Sequence, residues 1–550
     1  MKYGVKGLLG ILFALCLAAA AMLTAVDSNA SGEETKTYGA EEAKKVTQVP
    51  ERWITADHSK HAILQGNFTE PEEVTAACLS CHNEAAAQIH QTIHWTWKCP
   101  YDPNGEMGKN GLTVNNFCIA VPSNEPRCTS CHAGYGFKDK NFDFSTPEAI
   151  DCLVCHDRTG TYKKFPAGAG YPVKEEKVFP GNGMIYSPPD WNKVAQSVGR
   201  PTRANCGECH FKGGGGDGVK HGDLDTSLLK PDESLDVHMN AEGANFDCVR
   251  CHTTVGHKIS GRCYRHPATT EPGKSLIQDD QITRISCVSC HTETPHEPGH
   301  KANDHTDIVA CQTCHIPAFA REKPTKMSWD WSTAGDKKDG KPYQVEGPYG
   351  KHSYDTMKGD FVWEKNVTPE YYWFNGTLDY ILVTDTIDPE SVVKLNFPVG
   401  ERGDPASRIY PFKVHRGTIP YDKGNNTLVI PHLFPRNKDD TAAYWKGYDW
   451  TKAVQAGMDY VGLDFSGEVG FVKTEYVFQT THMVAPKENA VQCGECHTDN
   501  GRLASLAGFY MPGRDSSGLV DTIGWAAAAL ALLGVLVHAL ARTVSRKNRG

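Results

Sequence analysis

The sequence predicts a mainly α-helical protein with extensive loops and a minor β portion, followed by one C-terminal transmembrane helix. Three observations carry this expectation. A Cys-x-x-Cys-His pentapeptide occurs eight times. The 550 residues include 52 glycines and 32 prolines but only 39% hydrophobic residues, which is lean for a conventional apolar core of that size. Finally, an apolar run from Ile523 to Ala541 ends in Arg542, Arg546, Lys547 and Arg549.

The pentapeptides take up sixteen of the 20 cysteines. They are Cys78, Cys81 and His82; Cys128, Cys131 and His132; Cys152, Cys155 and His156; Cys206, Cys209 and His210; Cys248, Cys251 and His252; Cys287, Cys290 and His291; Cys311, Cys314 and His315; and Cys493, Cys496 and His497. In each, two thiols are placed to form thioethers with haem vinyl groups, and the adjoining imidazole is placed to become the proximal iron ligand. Zinc sites also use Cys-x-x-Cys pairs, but zinc gives no reason for a histidine directly after every pair. The expectation is a multihaem cytochrome c fold packed around eight covalently bound c-type haems, whose flat apolar faces supply the missing core.

The elements follow in order. Residues 1–30 read as a secretory signal: Lys2 and Lys6 precede an apolar run, and Ser28 and Ala30 suit cleavage, which would also remove Cys16. Phe13 and Leu15 are poor lipobox residues, which weighs against a lipoprotein. Residues 31–74 lead into the haem domain. Residues 75–315 carry seven motifs whose first cysteines lie 50, 24, 54, 42, 39 and 24 residues apart, too close for separate domains. Helical pieces are expected there, as over Pro71 to Trp97. Residues 316–440 read as a loop- and β-rich insertion without motifs, including the strand-like TLVIPHLF. Residues 441–515 read as a helical segment with the eighth haem, helical in pattern from Thr441 to Val484. Residues 520–542 form the membrane helix, and the basic tail at 543–550 places the main domain outside the cytoplasm. A net charge of -9 without an internal basic cluster argues against nucleic acid.

Beyond the eight motif histidines sixteen others remain, enough for bis-His ligation of most haems. Those favoured as distal ligands are His58, His94, His238, His257, His305, His415 and His482, most of them beside residues able to pack on a haem. Three cysteines are left over after Cys16: Cys99, Cys118 and Cys263. After the fourth motif comes GGGGDGVKHGD, where Asp217 and Lys220 stand three apart and glycines allow close approach to a flat ring. Lys220 is a candidate iron ligand, weaker than imidazole because its amine must first lose a proton. The plainer alternative is a flexible loop with a solvated lysine. Cys118, in VNNFCIAV beside Asn115 and Asn116, is either a thiol at a reactive haem, a buried structural cysteine, or a disulfide partner of Cys99.

The stretches HSKHAILQG, CLSCHNEAAAQIHQTIHWTW, NNFCIAV, NEPRCTSCHAGYGFKDKNFDF, DCLVCHDRTGTYKKFP, ANCGECHFKGGGGDGVKHGD and HMVAPKENAVQCGECH resemble the octahaem tetrathionate reductase family over residues 50 to 510. That family's haem arrangement is related to those of hydroxylamine oxidoreductase and the multihaem nitrite reductases. The resemblance implies seven bis-His haems and a second haem, on Cys128, Cys131 and His132, with Lys220 as distal ligand. It further implies Asp217, Asn115 and Cys118 as its catalytic neighbours. The C-terminal anchor departs from the family's mainly soluble pattern.

The resulting expectation is a periplasmic oxidoreductase anchored to the inner membrane, reducing tetrathionate, or nitrite or hydroxylamine, with electrons from a periplasmic or quinol-linked donor. The rivals are an anchored electron conduit with no substrate of its own, and a hydroxylamine- or nitrite-converting enzyme. Hydroxylamine oxidation would call for a tyrosine crosslinked to the catalytic haem, with Tyr460 and Tyr476 in a plausible region. Every motif ends in His, against a lysine-proximal nitrite reductase.

Overall fold

The computed structural model describes residue 43 and residues 56–180, 183–261, 285–515 and 517–547. The signal segment at 1–30, Cys16, Cys263 and most of 31–55 lie outside the described residues. The chain divides into two compact units, Met1–Arg52 with Ser286–Thr306 and Trp53–Ile285 with Asp307–Gly550.

In the smaller unit the sixth motif forms the helix Cys287–His291, and a 3-10 turn follows at Lys301–His305. Among residues 286–306 the one large apolar side chain, Val288, is 42% exposed.

In the larger unit the helices are short. Helix α1 (Pro71–Leu79) starts on a proline, and the Glu73 carboxylate accepts the backbone N–H groups of Thr69 and Glu70 at 2.7 and 3.1 Å. It is followed by α2 (Ala85–His90) and α3 (Ile93–Thr96), which ends where Trp97 turns left-handed at φ 53°. The second motif occupies α4 (Glu125–Cys128) and the 3-10 turn Thr129–Cys131. The third, fourth, fifth, seventh and eighth motifs likewise sit on helical turns, which brings both thiols and the imidazole of each motif together.

Most of the β portion is gathered in one nine-stranded sheet, beside three two-stranded pairs, Lys177–Val178 with Ile185–Tyr186, Thr254–Val255 with Lys258–Ile259 and Thr377–Tyr380 with Asn396–Val399. Its strands are β1 (Thr325–Asp330), β2 (Gln344–Glu346), β3 (His352–Asp355), β4 (Gly359–Glu364), β5 (Glu370–Phe374), β6 (Val393–Lys394), β7 (Arg408–Asp422), β8 (Thr427–Leu428) and β9 (Val469–Gln479). The main path runs β6-β9-β7-β1-β4-β3-β2, with β5 and β8 also on β7. Strand β7 is the spine: it runs antiparallel to β9 from Phe412↔Gln479 to Asp422↔Val469, and parallel to β1 from Arg416↔Ser328 to Thr418↔Asp330.

Two expectations change here. From Thr441 to Val484 the chain is helical in Tyr444–Gly447 and over α5 (Trp450–Val461), then becomes β9. The aromatic and β-branched residues of β9 find a full partner in β7, and tertiary pairing outweighs local helical pattern. Of TLVIPHLF only Thr427 and Leu428 pair as strand. Val429, Ile430 and Leu433 are buried instead in the core beneath the sheet, where the Asn124 side chain bonds Pro431 O and Leu433 N.

Helix α6 (Gly518–Lys547) exceeds the expected 520–542; within Gly518–Ser545 an 18-residue stretch has a mean hydropathy of 2.1 and is not buried. It is long and apolar enough to cross a membrane.

The second and third motifs are tied together by a buried ionic network. Asp151, directly before Cys152, accepts the hydroxyls of Tyr135 and Tyr162 at 2.8 Å each and the Lys164 ammonium at 2.9 Å. Lys164, its side chain 4% exposed, also donates to the carbonyls of His132 and Gly134. Removing one member of such a pair leaves a buried charge uncompensated. Asp151→Ala is expected to destabilise the holoprotein by about 3–5 kcal/mol, and adding Lys164→Met is expected to restore much of that. A single variant unfolding within about 0.5 kcal/mol of wild type in denaturant would show that the network does not bind the two motif loops together.

Candidate active site

Two loops meet at Phe117. The first is the turn Asn115–Cys118. The Asn115 side chain accepts the Phe117 N–H at 2.9 Å and donates to the Ile119 carbonyl at 2.9 Å, while Ile119 takes φ 62°. This is an Asx-type turn, so Asn115 holds the loop in shape. Asn116 is fully buried, donates to the His415 carbonyl on β7 at 2.9 Å and accepts the Thr474 hydroxyl of β9 at 2.6 Å. Only a glycine at 417 leaves it room, since a Cβ there would lie 2.7 Å from Asn116 Cγ. The Trp331 indole donates to the Phe117 carbonyl at 2.9 Å.

The second loop follows the fourth motif. Gly214, at φ 77°, approaches so closely that a Cβ would meet Phe117 and Val219 at 3.1 Å. The fully buried Lys413 of β7 anchors the loop, donating to the carbonyls of Val219 and Lys220 at 3.1 and 3.0 Å and to Thr325 Oγ1 at 2.5 Å. Lys220 places its ammonium 5.4 Å from the centre of the Phe478 ring, and its charge is felt by His210 and His221. Asp217 was expected to share a pocket with Lys220. Its carboxylate is instead engaged by the Lys323 ammonium at 2.6 Å and by the N–H and hydroxyl of Thr226, three donors that outcompete a single lysine.

Cys118 packs against the core that contains Phe117 and Trp329. Burial pushes its thiol pKa up, against the charges of Arg127, Lys358 and Lys326. Cys118 and Glu125 both lie close enough to Cys128 of the second motif to act on it electrostatically, so these three groups lie together. Cys99 and Cys118 pack in different core clusters and are not bonded to each other, which argues against the disulfide alternative.

His132 is fully buried and enclosed by Trp95, Trp97, Phe137, Phe142 and Phe144. Its Nε2 lies 2.6 Å from the Trp95 carbonyl, its Nδ1 has no partner, and burial pushes its pKa down to about 3.

Four of the histidines favoured as distal ligands face motif histidines across similar gaps. Ring centres are 6.3 Å apart for His58 and His82, 6.5 Å for His257 and His156, 6.2 Å for His94 and His210, and 6.3 Å for His482 and His252. Two imidazoles sharing one metal, at about 2 Å per nitrogen–metal bond, have ring centres roughly 6 Å apart. The Nδ1 atoms of His156, His252 and His497 pair with the carbonyls of Gly199, Ser260 and Pro512 at 2.8, 2.9 and 2.8 Å. This fixes each ring and leaves Nε2 for a metal. His415 is fully buried with both ring nitrogens unpartnered, the condition of an imidazole built for a ligand. His238 packs on Phe246, and His305 ends the 3-10 turn after the sixth motif.

The motifs are also close to each other. Cys209 lies beside Cys131, Cys206 beside Cys248 and Cys152 beside Cys78. The second and fourth, fourth and fifth, and first and third motifs are thus neighbours. The Val491 N–H donates to the Cys314 carbonyl at 2.8 Å, joining the seventh and eighth.

Some residues were missed in the sequence. Lys326 is buried with its ammonium 3.8 Å from the Trp329 ring and 3.5 Å from the Phe361 ring, and its charge reaches Cys118. Strict alternation along β1 would put Lys326 and Trp329 on opposite faces; the irregularity between Lys326 and Ser328 puts them together. Glu125 and the partnerless His90 Nε2 were missed as well. Tyr460 lies near the second motif, but its hydroxyl donates to Glu125 at 2.7 Å, and Tyr476 packs on Phe478.

Cys-x-x-Cys-His turns with opposed histidines define a c-type cytochrome with covalently bound haems. Residues 326–500 match the family described as bacterial cytochrome c. A crystal structure of octaheme cytochrome c from Shewanella oneidensis is 44% identical, with a TM-score of 0.70 over 82% of this chain and 95% of that one. No curated protein matches. The chain belongs to the octahaem c-type cytochromes, a family of redox proteins.

Because a thiolate, not a thiol, is the reactive form, Cys118 is expected to be alkylated by iodoacetamide at pH 7 at least about tenfold more slowly than a free cysteine in the native holoprotein. Peptide mass mapping reads the rate; labelling at the free-cysteine rate would contradict the buried, raised thiol.

Proposed function

We propose that this protein is a periplasmic octahaem reductase. In this reading its C-terminal helix holds it in the inner membrane, with the basic tail in the cytoplasm, and eight covalent haems are carried by the eight motifs. Seven are closed by two histidines, with His58, His94, His257 and His482 opposite His82, His210, His156 and His252. His238, His305 and His415 are the distal ligands left for the remaining bis-His haems. The second haem, on Cys128, Cys131 and His132, takes Lys220 as an exchangeable ligand and is the substrate site. The observation that carries this reading is the meeting of the Asn115–Cys118 turn and the glycine loop at Phe117, beside Cys128.

The haems supply single electrons and, at the second motif, an iron position that substrate reaches when the lysine yields. The chain's own residues supply the rest. Tetrathionate is a dianion, and the Arg127 and Lys358 charges that act on Cys118 attract it, with Lys326, whose amine burial pushes towards the neutral form, acting more weakly. Two electrons break the central sulfur–sulfur bond and leave two thiosulfates, with no proton consumed. Burial keeps Cys118 a thiol, while the charges of Arg127, Lys358 and Lys326 favour its thiolate, the form suited to exchange with a sulfur–sulfur bond. Asn115 keeps the turn in shape. Asp217 holds the second loop through Thr226 and Lys323, a positioning role. Nitrite and hydroxylamine are the other candidate substrates.

A second reading, an anchored electron conduit, draws support from the opposed histidine pairs and the exposed apolar helix. Lys220→Ala separates the two. The reductase reading expects one haem to change its optical and magnetic spectrum, the others to stay as they are, and tetrathionate turnover with a reduced dye to fall at least about a hundredfold. Unchanged spectra and turnover would remove Lys220 from the site.

A further inference from the structure

A buried acid stands beside the second motif that no role described so far uses. Glu125 opens α4, one turn before Cys128, so the two residues share a face of that turn. Glu125 is 3% exposed. Its Oε1 accepts the Tyr460 hydroxyl at 2.7 Å and the Ser123 N–H at 3.2 Å, whereas Oε2 has no partner. A buried carboxylate with one bare oxygen is costly, and the cost disappears when that oxygen carries a proton.

The groups around it make the same case. Arg436 lies over the Tyr460 ring at 4.8 Å and is a weak attractor of charge on Glu125. Lys140 donates its N–H to the Tyr460 hydroxyl at 2.5 Å and sets its ammonium 5.1 Å from the ring centre. Cys128 senses Glu125 from the motif side. Ser123 passes on to His432, whose Nδ1 meets its Oγ at 2.8 Å and whose Nε2 meets Asp440 at 2.8 Å. No cation pairs directly with the Glu125 carboxyl among the described residues, and burial raises its pKa. Tyr460 is half-buried, and its hydroxyl, bonded to Glu125 on one side, meets the N–H of the exposed Lys140 on the other.

We propose that Tyr460 and Glu125 form the proton-entry path of the second-motif site, with Tyr460 at the solvent end and Glu125 Oε2 at the inner end. This rests on the reductase reading for its substrate and deepens it: the path serves nitrogen substrates, because their reduction consumes protons and that of tetrathionate does not. For hydroxylamine, two electrons from the covalent haems and two protons break the nitrogen–oxygen bond and give ammonia and water. The first proton leaves Oε2 of Glu125, the Tyr460 hydroxyl proton passes to Oε1, solvent reprotonates the tyrosine, and the carboxyl turns to present the second proton inward.

Two readouts test this on the full-length holoprotein. In redox-induced infrared difference spectra the wild type is expected to show a protonated-carboxyl band that responds to haem reduction. Glu125→Gln removes the band, and Tyr460→Phe shifts it because Oε1 loses its hydrogen bond. In turnover with a reduced dye, Glu125→Gln is expected to slow hydroxylamine reduction at least about tenfold more than tetrathionate reduction. No carboxyl band in the wild type, a band that survives Glu125→Gln, or equal losses on both substrates would each overturn the path. Tyr460→Phe keeps every carbon atom and serves if Glu125→Gln fails to fold; an unshifted band in it then overturns the path. A responsive band in a protein that turns over neither substrate would sink the reductase reading and leave Glu125 as a redox-linked proton site.

Discussion

The contacts of Phe117 hold the candidate site together. The Trp331 indole takes its carbonyl, its ring lies 4.6 Å from the buried His415 ring and 5.9 Å from Phe478, and Gly214 closes over it from the second loop. All of this depends on the sheet. Strand β7 carries His415, Gly417 and Lys413, which respectively accept Asn116, make room for it, and tie down the carbonyls beside Lys220. A motif-free segment of the chain thus positions two loops that lie far from it in sequence. Helical turns hold the cysteines, while the sheet decides which motif gains neighbours able to do chemistry.

Charge is handled in three different ways around this centre. Asp151 and Lys164 neutralise each other in a dry network that ties the second motif to the third. Lys326 is held between aromatic faces, and burial pushes its pKa well below the usual lysine range. Glu125 has neither a cation nor a full set of hydrogen bonds. A single site therefore combines a compensated pair, an aromatic-caged lysine and a buried acid, with the last two on the side of Cys118 and Cys128.

Much of this could be read in the sequence where the chemistry is local. The motifs state their ligands within five residues, and the apolar C-terminal run states its length. His94 and His482 could be favoured from apolar, aromatic or β-branched neighbours, whereas His58 lies between Asp57 and Ser59; these and His257 each stand opposite a motif histidine, and the pairings themselves needed the fold. Asp217 could not be read correctly, because its partners Thr226 and Lys323 come from elsewhere in the chain. Lys326 was hidden by a strand irregularity, and Glu125 by its ordinary place before a motif. The span from Val469 to Gln479 looked helical because nothing local reveals that β7 waits for it.

The central claim is that one motif differs from the others by having an exchangeable position. Electron paramagnetic resonance of the oxidised protein, recorded with and without tetrathionate, nitrite or hydroxylamine, addresses it most directly. The account predicts that one haem's signal responds to an added substrate while those of the paired-histidine haems stay fixed. A set of signals that none of the three substrates alters would contradict it.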